Sequence, residues 1–346
     1  MIDFKVKKLK SVNSPVSVHG VYPYRGKISS LDAMKIIEQI PKGTTLLDPF
    51  CGSGTILYES KKRGVNVIGC DQNPIANILS EGKLNIPENL DDVINEFELL
   101  KRKSNKISED FSHLKSSKYF HKNSHNQICS MKEFYPEMSQ YFKSCFFGAI
   151  ALTARGCNHY KWTSSSVGKD INPKRDIDFF EKLLMKIKKH YFPISNSSSS
   201  RIINCDSREL SLNIDPNSID FVYTSPPYFD CLDYTSYYTK IVYDILNLDR
   251  VEIRSNLIQN FKSYESDMSK VLNELYKVCK KGAQIIFVVG DKKIKGKVIN
   301  GAQFFNKISP FKTSKIIDRS YSGTTSQIFD EINKTSRKEQ IIIWTK

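Results

Sequence analysis

The chain lacks the features that mark secreted, membrane-spanning or zinc-binding proteins. Its eight cysteines include no Cys-x-x-Cys pair and no Cys/His cluster at zinc spacing, which predicts reduced thiols and no metal site. The basic amino terminus is followed by no apolar segment, and no apolar run approaches the length of a membrane span. These absences predict a soluble, intracellular protein.

The length and charge of the chain limit the remaining classes. With 346 residues, of which 40% are hydrophobic, it can bury a full core, and we expect one catalytic domain that carries a sizeable insertion. The net charge of +15 favours a polyanionic partner such as nucleic acid. A solvated basic surface is the alternative interpretation of this charge.

Apolar patterning predicts alternating strands and helices near the amino terminus. A helix is expected over residues 31–40, a strand over 44–48, a helix over 55–63 and a strand over 65–70. The last three form a βαβ unit, which predicts a parallel sheet with a ligand at the carboxyl ends of its strands.

The alternation is interrupted between about residues 75 and 200. Helices are predicted there over 90–101, 131–155 and 177–190, separated by polar, basic segments, and a serine-rich stretch closes the region. Further strands are predicted over 201–205, 219–223, 283–289, 314–319 and 340–345, so that the sheet has seven strands in all.

The first strand is followed by a glycine-rich turn, DPFCGSGT, from Asp48 to Thr55. Two glycines let the backbone approach a ligand closely, and the following helix presents free N–H groups. The turn has neither the lysine of a phosphate-binding loop nor the third glycine of the dinucleotide motif. An acid before a short glycine turn suits a ligand with a cationic or zwitterionic end, although such turns can be merely tight.

The second strand ends in an acid, Asp71, at the position where nucleotide-binding α/β folds place a carboxylate on ribose hydroxyls. The same side chain could instead cap the helix that begins at Asn73 and Pro74. Together, the glycine turn and the spaced acid indicate an adenosine-type ligand.

Three motifs, DPFCGSGT, GCDQNP and TSPPY, resemble those of the amino-group class of S-adenosylmethionine-dependent nucleic-acid methyltransferases. The resemblance covers residues 17–80 and 201–346. It implies an α/β, Rossmann-like seven-stranded sheet with the last strand antiparallel and a mainly helical insertion, and S-adenosylmethionine as cofactor. The residues that it assigns to the cofactor are Tyr24, Asp48, Pro49, Phe50, Gly52, Gly54, Thr55, Asp71, Asn73, Asp206 and Ser207.

Within that set, the resemblance implies different contacts. The segment from Asp48 to Gly54 would surround the methionine part of the cofactor, Asp71 would bind the ribose, and Asp206 would bind the adenine amino group. The loop over residues 18–27 resembles the segment that completes the cofactor pocket. A plain surface loop is the alternative for that segment.

The TSPPY motif resembles the catalytic motif of the class and assigns the reaction to Ser225, Pro226, Pro227 and Tyr228. An exocyclic amino nitrogen is a poor nucleophile because its lone pair is delocalised into the base. The resemblance implies that the Ser225 hydroxyl and the Pro226 carbonyl accept both N–H hydrogens, and that Tyr228 stacks on the flipped base. Two prolines keep the turn rigid. A purely structural double-proline corner is the alternative.

The target base is predicted from the same motif. Methylation of cytosine C5 needs a nucleophilic cysteine, usually in a Pro-Cys pair, and the chain has no such dipeptide. The class tends to place Ser or Thr before Pro-Pro in cytosine-N4 enzymes and Asp or Asn in adenine-N6 enzymes. Ser225 therefore favours cytosine N4, with adenine N6 as the alternative.

The domain organisation follows from these motifs. Residues 1–80 and 201–346 are predicted to form the two parts of the catalytic domain, and residues 81–200 a helical insertion that recognises the target. The insertion precedes Asp206, which departs from the usual order of the class. Candidate DNA contacts are Arg155, Lys161, Trp162, Lys174, Arg175, Lys292 and Lys293, for which a solvated basic face is the alternative.

The sequence thus predicts a site-specific methyltransferase acting on double-stranded DNA, as part of a restriction-modification system with a cognate restriction endonuclease. We expect it in the cytoplasm of a bacterium or archaeon, at the nucleoid. Two alternatives remain: a transfer-RNA guanosine-N2 methyltransferase, whose class usually has Asp before Pro-Pro-Tyr, and a binding protein that has kept only the fold.

Overall fold

The computed structural model describes residues 1–5, 16–24, 26, 28–154, 175–227, 233–294, 297–322 and 336–346. Its strands are β1 (Thr45–Asp48), β2 (Asn66–Cys70), β3 (Ser200–Ile203), β4 (Ile219–Thr224), β5 (Cys279–Gly290), β6 (Lys292–Ile294), β7 (Lys297–Ile299), β8 (Lys312–Ser322) and β9 (Ser336–Thr345). Its helices are α1 (Ser30–Ile37), α2 (Thr55–Lys62), α3 (Pro74–Leu84), α4 (Leu90–Ser104), α5 (Lys122–Lys132), α6 (Gln140–Thr153), α7 (Phe179–Lys189), α8 (Tyr238–Leu246), α9 (Arg250–Asn256), α10 (Tyr264–Val278) and α11 (Gly301–Ile308).

Seven strands form one sheet in the order β3-β2-β1-β4-β5-β9-β8. The pairs from β3 to β5 are parallel, and β9 lies antiparallel between β5 and β8. The predicted seven-stranded sheet with an antiparallel last strand is therefore confirmed. Since all the βα turns of the parallel strands meet at one edge, this edge is where a ligand site is expected.

The sheet is covered on both faces, because alternate residues of a strand point to opposite sides. Leu46 of β1 packs in one cluster with α1 and α2, whereas Leu47 packs in another with α10 and α11. Both leucines are fully buried. Burial on both faces explains why the central strands are continuous apolar runs.

The insertion is mainly helical, as predicted, and has its own core. Phe142, Phe146 and Phe147 of α6 are fully buried in a cluster that also contains residues of α3, α4, α5 and α7. Helix α8, which follows the TSPPY motif, contributes Ile241 and Tyr243 to the same cluster. The insertion is thus packed directly against the element that follows the catalytic motif.

The prediction of one helix over residues 131–155 is wrong. Helix α5 ends at Lys132, a short 3-10 helix spans Tyr135–Glu137, and α6 begins after Ser139. Pro136 has no backbone N–H to continue a helix. The Ser139 hydroxyl accepts from the Phe142 N–H at 3.3 Å, which caps the new helix.

The prediction that the cysteines are reduced is wrong for one pair. Cys70, at the end of β2, and Cys205, after β3, are joined as a disulfide with Cα atoms 5.9 Å apart. The described cysteines 51, 129, 145 and 279 are buried and free. Of the helices in the described ranges, none is both long and apolar enough to cross a membrane.

Candidate active site

The glycine turn lies at the carboxyl end of β1, with Asp48 buried at 2% exposure. The Asp48 Oδ1 atom accepts from the Thr224 hydroxyl at 2.6 Å and from the Phe50 N–H at 3.1 Å. Because Thr224 is the last residue of β4, this carboxylate ties the glycine turn to the start of the TSPPY motif.

Both glycines of the turn are required by its shape. Gly52 and Gly54 have φ angles of +51° and +70°, in the left-handed region that favours glycine. A Cβ atom on Gly52 would lie 3.1 Å from the Tyr24 ring, and one on Gly54 would lie 2.9 Å from the Ser80 Cα. The turn therefore passes closely between the amino-terminal loop and α3.

Asp71, at the carboxyl end of β2, has each of its oxygens engaged by the backbone. Oδ2 accepts from the Gly52 N–H and Oδ1 from the Asn73 N–H, both at 2.9 Å. Asn73 in turn caps α3 and accepts from the Tyr243 hydroxyl at 2.7 Å. Asp71 is thus held in one orientation beside the glycine turn.

The two acids carry raised pKa values. Burial raises the pKa of Asp48 to about 7, against hydrogen bonds from Thr224 and Phe50 that lower it. Burial likewise raises the pKa of Asp71 to about 6, opposed by the N–H groups of Asn73 and Gly52. A cationic ligand would favour the charged form of such acids, since an opposite charge replaces the hydration that they have lost.

These residues surround a cleft of about 810 Å³, part of which is open to solvent. Its lining residues are Tyr24, Gly26, Ile28, Asp48, Phe50, Cys51, Gly52, Ser53, Thr55, Ile56, Asp71, Gln72, Asn73, Ser207, Ser225, Pro227, Tyr234, Leu257 and Ile258. The mixture of apolar side chains with a few polar groups is typical of small-molecule sites.

Two hydroxyl groups in the cleft have no partner in the described structure. Ser53 Oγ and Thr55 Oγ1 are buried without a hydrogen bond at the start of α2. A buried hydroxyl without a partner is costly, so a ligand that supplies one is expected. Hydroxyls and backbone N–H groups at a helix start suit a carboxylate, while Asp48 suits an ammonium group. The residues therefore fit the amino-acid end of S-adenosylmethionine.

The TSPPY turn borders the same cleft. Ser225 and Pro227 line it, whereas Pro226 is buried behind them. Tyr228 lies outside the described residues. The structure thus brings two of the predicted catalytic residues to the wall that also carries Asp48 and Asp71.

Most of the predicted cofactor residues line the cleft, and three do not. Tyr24, Asp48, Phe50, Gly52, Thr55, Asp71, Asn73 and Ser207 line the cleft, and Pro49, Gly54 and Asp206 are not among its lining residues. The Pro49 carbonyl accepts from the Ser207 hydroxyl, which fixes the wall from behind. Gly54 shapes the turn at the N-cap of α2.

Asp206 is engaged by an arginine. Its carboxylate accepts from Arg208 Nε at 2.8 Å and Nη2 at 2.6 Å, and it caps the 3-10 helix Ser207–Leu212. The other guanidinium nitrogen of Arg208 binds Asp267 at 3.1 Å. The assignment of Asp206 to the adenine amino group stays a prediction.

The amino-terminal loop over residues 16–24 is anchored on its buried side. His19 Nε2 donates to Glu59 Oε1 on α2 at 2.7 Å. Both side chains are buried, as is Lys83 of α3, and each of the three residues is at most 7% exposed. The Gly20 carbonyl accepts from Lys186 Nζ of α7 at 2.8 Å. The loop that carries Tyr24 is therefore held by both the catalytic domain and the insertion.

Most of the predicted DNA contacts lie outside the residues that the structure describes. Arg155, Lys161, Trp162 and Lys174 lie outside the described residues, and Arg175 is exposed just before α7. Lys292 and Lys293 are in the β6–β7 hairpin, which follows β5 at the edge of the sheet that carries the cleft. Their contact with DNA stays a prediction.

Sequence reasoning missed part of the cleft wall. Leu257 and Ile258 follow α9, and no motif or periodicity distinguishes them in the sequence. Ser53 and Thr55 belong to the glycine motif, but only Thr55 was singled out. Tyr234, six residues after the TSPPY motif, also lines the cleft.

The sheet order and the cleft together define the class of protein. A buried acid ends β1, a half-buried acid directly follows β2, a glycine turn lies between them, and the TSPPY turn of β4 faces the same space. This is the arrangement of a Rossmann-like, S-adenosylmethionine-dependent methyltransferase. The family model described as D12 class N6 adenine-specific DNA methyltransferase matches residues 30–291, and the chain belongs to this family.

The chain is also similar to individual type II methyltransferases. Type II methyltransferase M.BsoBI of Geobacillus stearothermophilus is 23% identical, over 96% of this chain and 86% of its own. Type II methyltransferase M.MjaII of Methanocaldococcus jannaschii is 24% identical, over 80% and 72%. Among solved structures, the rRNA methyltransferase aviRa of Streptomyces viridochromogenes has a TM-score of 0.39 at 13% identity, over 93% of this chain and 87% of its own.

The family confirms the resemblance that the three motifs indicated. The protein is an S-adenosylmethionine-dependent DNA methyltransferase, with S-adenosylmethionine as its cofactor and DNA as its substrate.

Proposed function

We propose that the protein methylates the exocyclic N4 of a flipped cytosine in double-stranded DNA. The observation that carries this proposal is the position of Ser225, which follows the last residue of β4 and lines the cleft together with Asp48 and Asp71. A hydroxyl in front of the double proline is the pattern that favours cytosine in this class of enzyme.

In this proposal, the protein mainly orients the reactants. Ser225 Oγ and the Pro226 carbonyl accept the two amino hydrogens, which aims the nitrogen lone pair toward the cleft. Tyr228 stacks on the base once it has left the helix. The cofactor, when bound, supplies a methyl group already activated on a sulfonium.

The cofactor would be held by groups at four positions of the cleft. Asp71 accepts hydrogen bonds from the ribose hydroxyls, and the unpaired hydroxyls of Ser53 and Thr55 donate to the carboxylate. Asp48 would pair with the ammonium group. Leu257 and Ile258 supply an apolar surface for the adenine ring.

Adenine N6 is the second candidate, because the matching family is described as adenine-specific. The two targets share an amino group beside a ring nitrogen, so a hydroxyl acceptor could serve either one. Only identification of the methylated base separates them.

Nucleoside mass spectrometry is the experiment that tests the proposal. Purified protein is incubated with S-adenosylmethionine and either unmodified genomic DNA or total RNA. N4-methylcytosine in DNA is the expected product, and N6-methyladenine would overturn the use of Ser225 while keeping the enzyme class. Methylation confined to RNA, or none at all, would contradict the proposal. Ser225→Ala serves as the inactive variant and Ser255→Ala, an exposed serine on α9, as its control.

We further propose that residues 81–200 recognise the target sequence and that residues 1–80 and 201–346 form the catalytic domain. Support comes from basic side chains in the last turns of two helices, Lys101, Arg102 and Lys103 in α4 and Lys188 and Lys189 in α7. Phosphate contacts are expected to show in the salt dependence of DNA binding. Arg175→Ala should lower the slope of log K against log salt by about one.

We also propose a role in a restriction-modification system with a cognate restriction endonuclease, which the type II names of the relatives support, and a location in the cytoplasm at the nucleoid. Such a role requires methylation of one short sequence at every occurrence. Single-molecule sequencing of DNA from cells that express the protein is expected to show one such motif. Scattered methylation would contradict the role.

A further inference from the structure

The double-proline turn is held through one of its carbonyl groups. The Tyr264 hydroxyl donates to the Pro227 carbonyl at 2.5 Å, across 37 residues of chain. Neither Pro226 nor Pro227 has a backbone N–H, so these residues cannot fix their own orientation by donating hydrogen bonds. A donor from elsewhere in the fold is therefore the available means of holding them.

The hydrogen bond acts on the torsion that the prolines leave free. The pyrrolidine rings fix φ of Pro226 and Pro227, and a following proline also restricts ψ of Pro226. The remaining soft torsion is ψ of Pro227, which is the angle that orients its carbonyl group. This torsion also sets the direction in which the chain leaves toward Tyr228.

Tyr264 is itself firmly placed. It is the first residue of α10 and is 1% exposed. Its ring lies 5.8 Å from that of Phe304 and 6.4 Å from that of Phe305, both on α11. Phe305 packs on Phe287 of β5 at 5.6 Å, and Phe287 is the register partner of Thr224. The contact thus connects the turn to the sheet strand beside it.

We propose that Tyr264 is a positioning residue for methyl transfer. Its hydroxyl anchors the Pro227 carbonyl to α10. Because the two prolines make the turn rigid, this anchor holds the segment from Ser225 to Pro227 in the geometry that receives the amino group. Within the described part of the chain, Tyr264 is not one of the cleft-lining residues, so it acts through the turn. This inference rests on the proposed role of the turn as acceptor of the amino hydrogens.

The test is Tyr264→Phe, which removes only the hydroxyl and leaves the ring in its aromatic surroundings. The matched control is Tyr276→Phe on the same helix, where the ring is 43% exposed and packs 5.4 Å from Phe311. Single-turnover methylation of DNA gives the rate, and calorimetry gives the affinity for S-adenosylmethionine.

Tyr264→Phe is expected to lower the single-turnover rate roughly 10- to 100-fold, because a small misplacement of reacting groups is enough for such a loss. Cofactor affinity should stay within about twofold of wild type, since the turn's acceptors face the base. The control should leave both values unchanged. An unchanged rate in Tyr264→Phe, or an equal loss of cofactor affinity, would overturn the inference.

Failure of the proposed function would be distinguishable. If the wild-type protein methylates no DNA, the function is wrong, and crystal structures of wild type and Tyr264→Phe then decide the inference alone. A rotated Pro227 carbonyl in the variant supports the role of the hydroxyl, and an unmoved carbonyl overturns it.

Discussion

Cofactor binding is expected to weaken steeply as the pH falls from 7 to 5. Burial raises the pKa of Asp48 to about 7 and that of Asp71 to about 6, so both acids become protonated in this range. If binding requires their charged forms, the Asp48 equilibrium raises the dissociation constant about 50-fold and the Asp71 equilibrium about 10-fold over these two pH units. The combined loss is roughly 500-fold, or about 4 kcal/mol.

Asp48→Asn tests this prediction while keeping the hydrogen bonds of the side chain. Asp48 accepts both of its hydrogen bonds at Oδ1, so an asparagine can keep them with its amide oxygen. Asp71 accepts at both oxygens. An asparagine at this position would place its NH₂ group, a donor, against a backbone N–H, which is also a donor. Asp48→Asn should bind more weakly at pH 8, but its affinity should fall only about 10-fold between pH 7 and 5, from Asp71 alone.

The assay is isothermal titration calorimetry with S-adenosylmethionine at constant ionic strength from pH 5 to pH 8. Asp91→Asn, an exposed acid in the first turn of α4, controls for a general change in charge. A wild-type affinity that varies less than about threefold over this range would refute the requirement for charged acids. A full pH dependence in Asp48→Asn would refute the part assigned to Asp48.

Three further outcomes are expected. Ser225→Ala should lower turnover far more than cofactor affinity, measured by steady-state kinetics and calorimetry, and equal losses would contradict its role. Lys186→Met should raise the cofactor dissociation constant about 10-fold, because the Gly20 carbonyl loses a charged donor that anchors the loop, whereas the exposed Lys188→Met should not. Without cofactor, Asp48→Asn should raise the free energy of unfolding at pH 8 by up to about 4 kcal/mol, and by little at pH 4.

Asp48→Asn is expected to stabilise the protein because burial raises the pKa of the native acid. Between pH 4 and 7, the folded protein holds a proton on Asp48 that the unfolded chain, with a pKa of 3.8, has released. Stability therefore falls as the pH rises through this range, and the loss is complete above pH 7. Urea denaturation at both pH values measures it, and a variant no more stable than wild type at pH 8 would contradict the raised pKa.

Most strands and the glycine turn could be predicted because their signals are local. The apolar runs of the central strands, the glycines and the two spaced acids each follow from neighbouring residues, and the structure places them at one edge of the sheet. The helix boundary near Pro136 was missed because the apolar pattern continues across it. The local signal for this boundary is Pro136 followed three residues later by Ser139, a residue type that caps helices.

By itself, the sequence determined the family, the sheet and the motif that borders the cleft, since these depend on residue types at short spacing. Only the tertiary structure decided which distant residues complete the site: Leu257 and Ile258 on its wall, and Tyr264 behind the double proline. It also decided that Asp206 binds Arg208 and that Asp48 and Asp71 have raised pKa values. Burial and contacts between distant segments arise when the whole chain packs, so no local pattern encodes them.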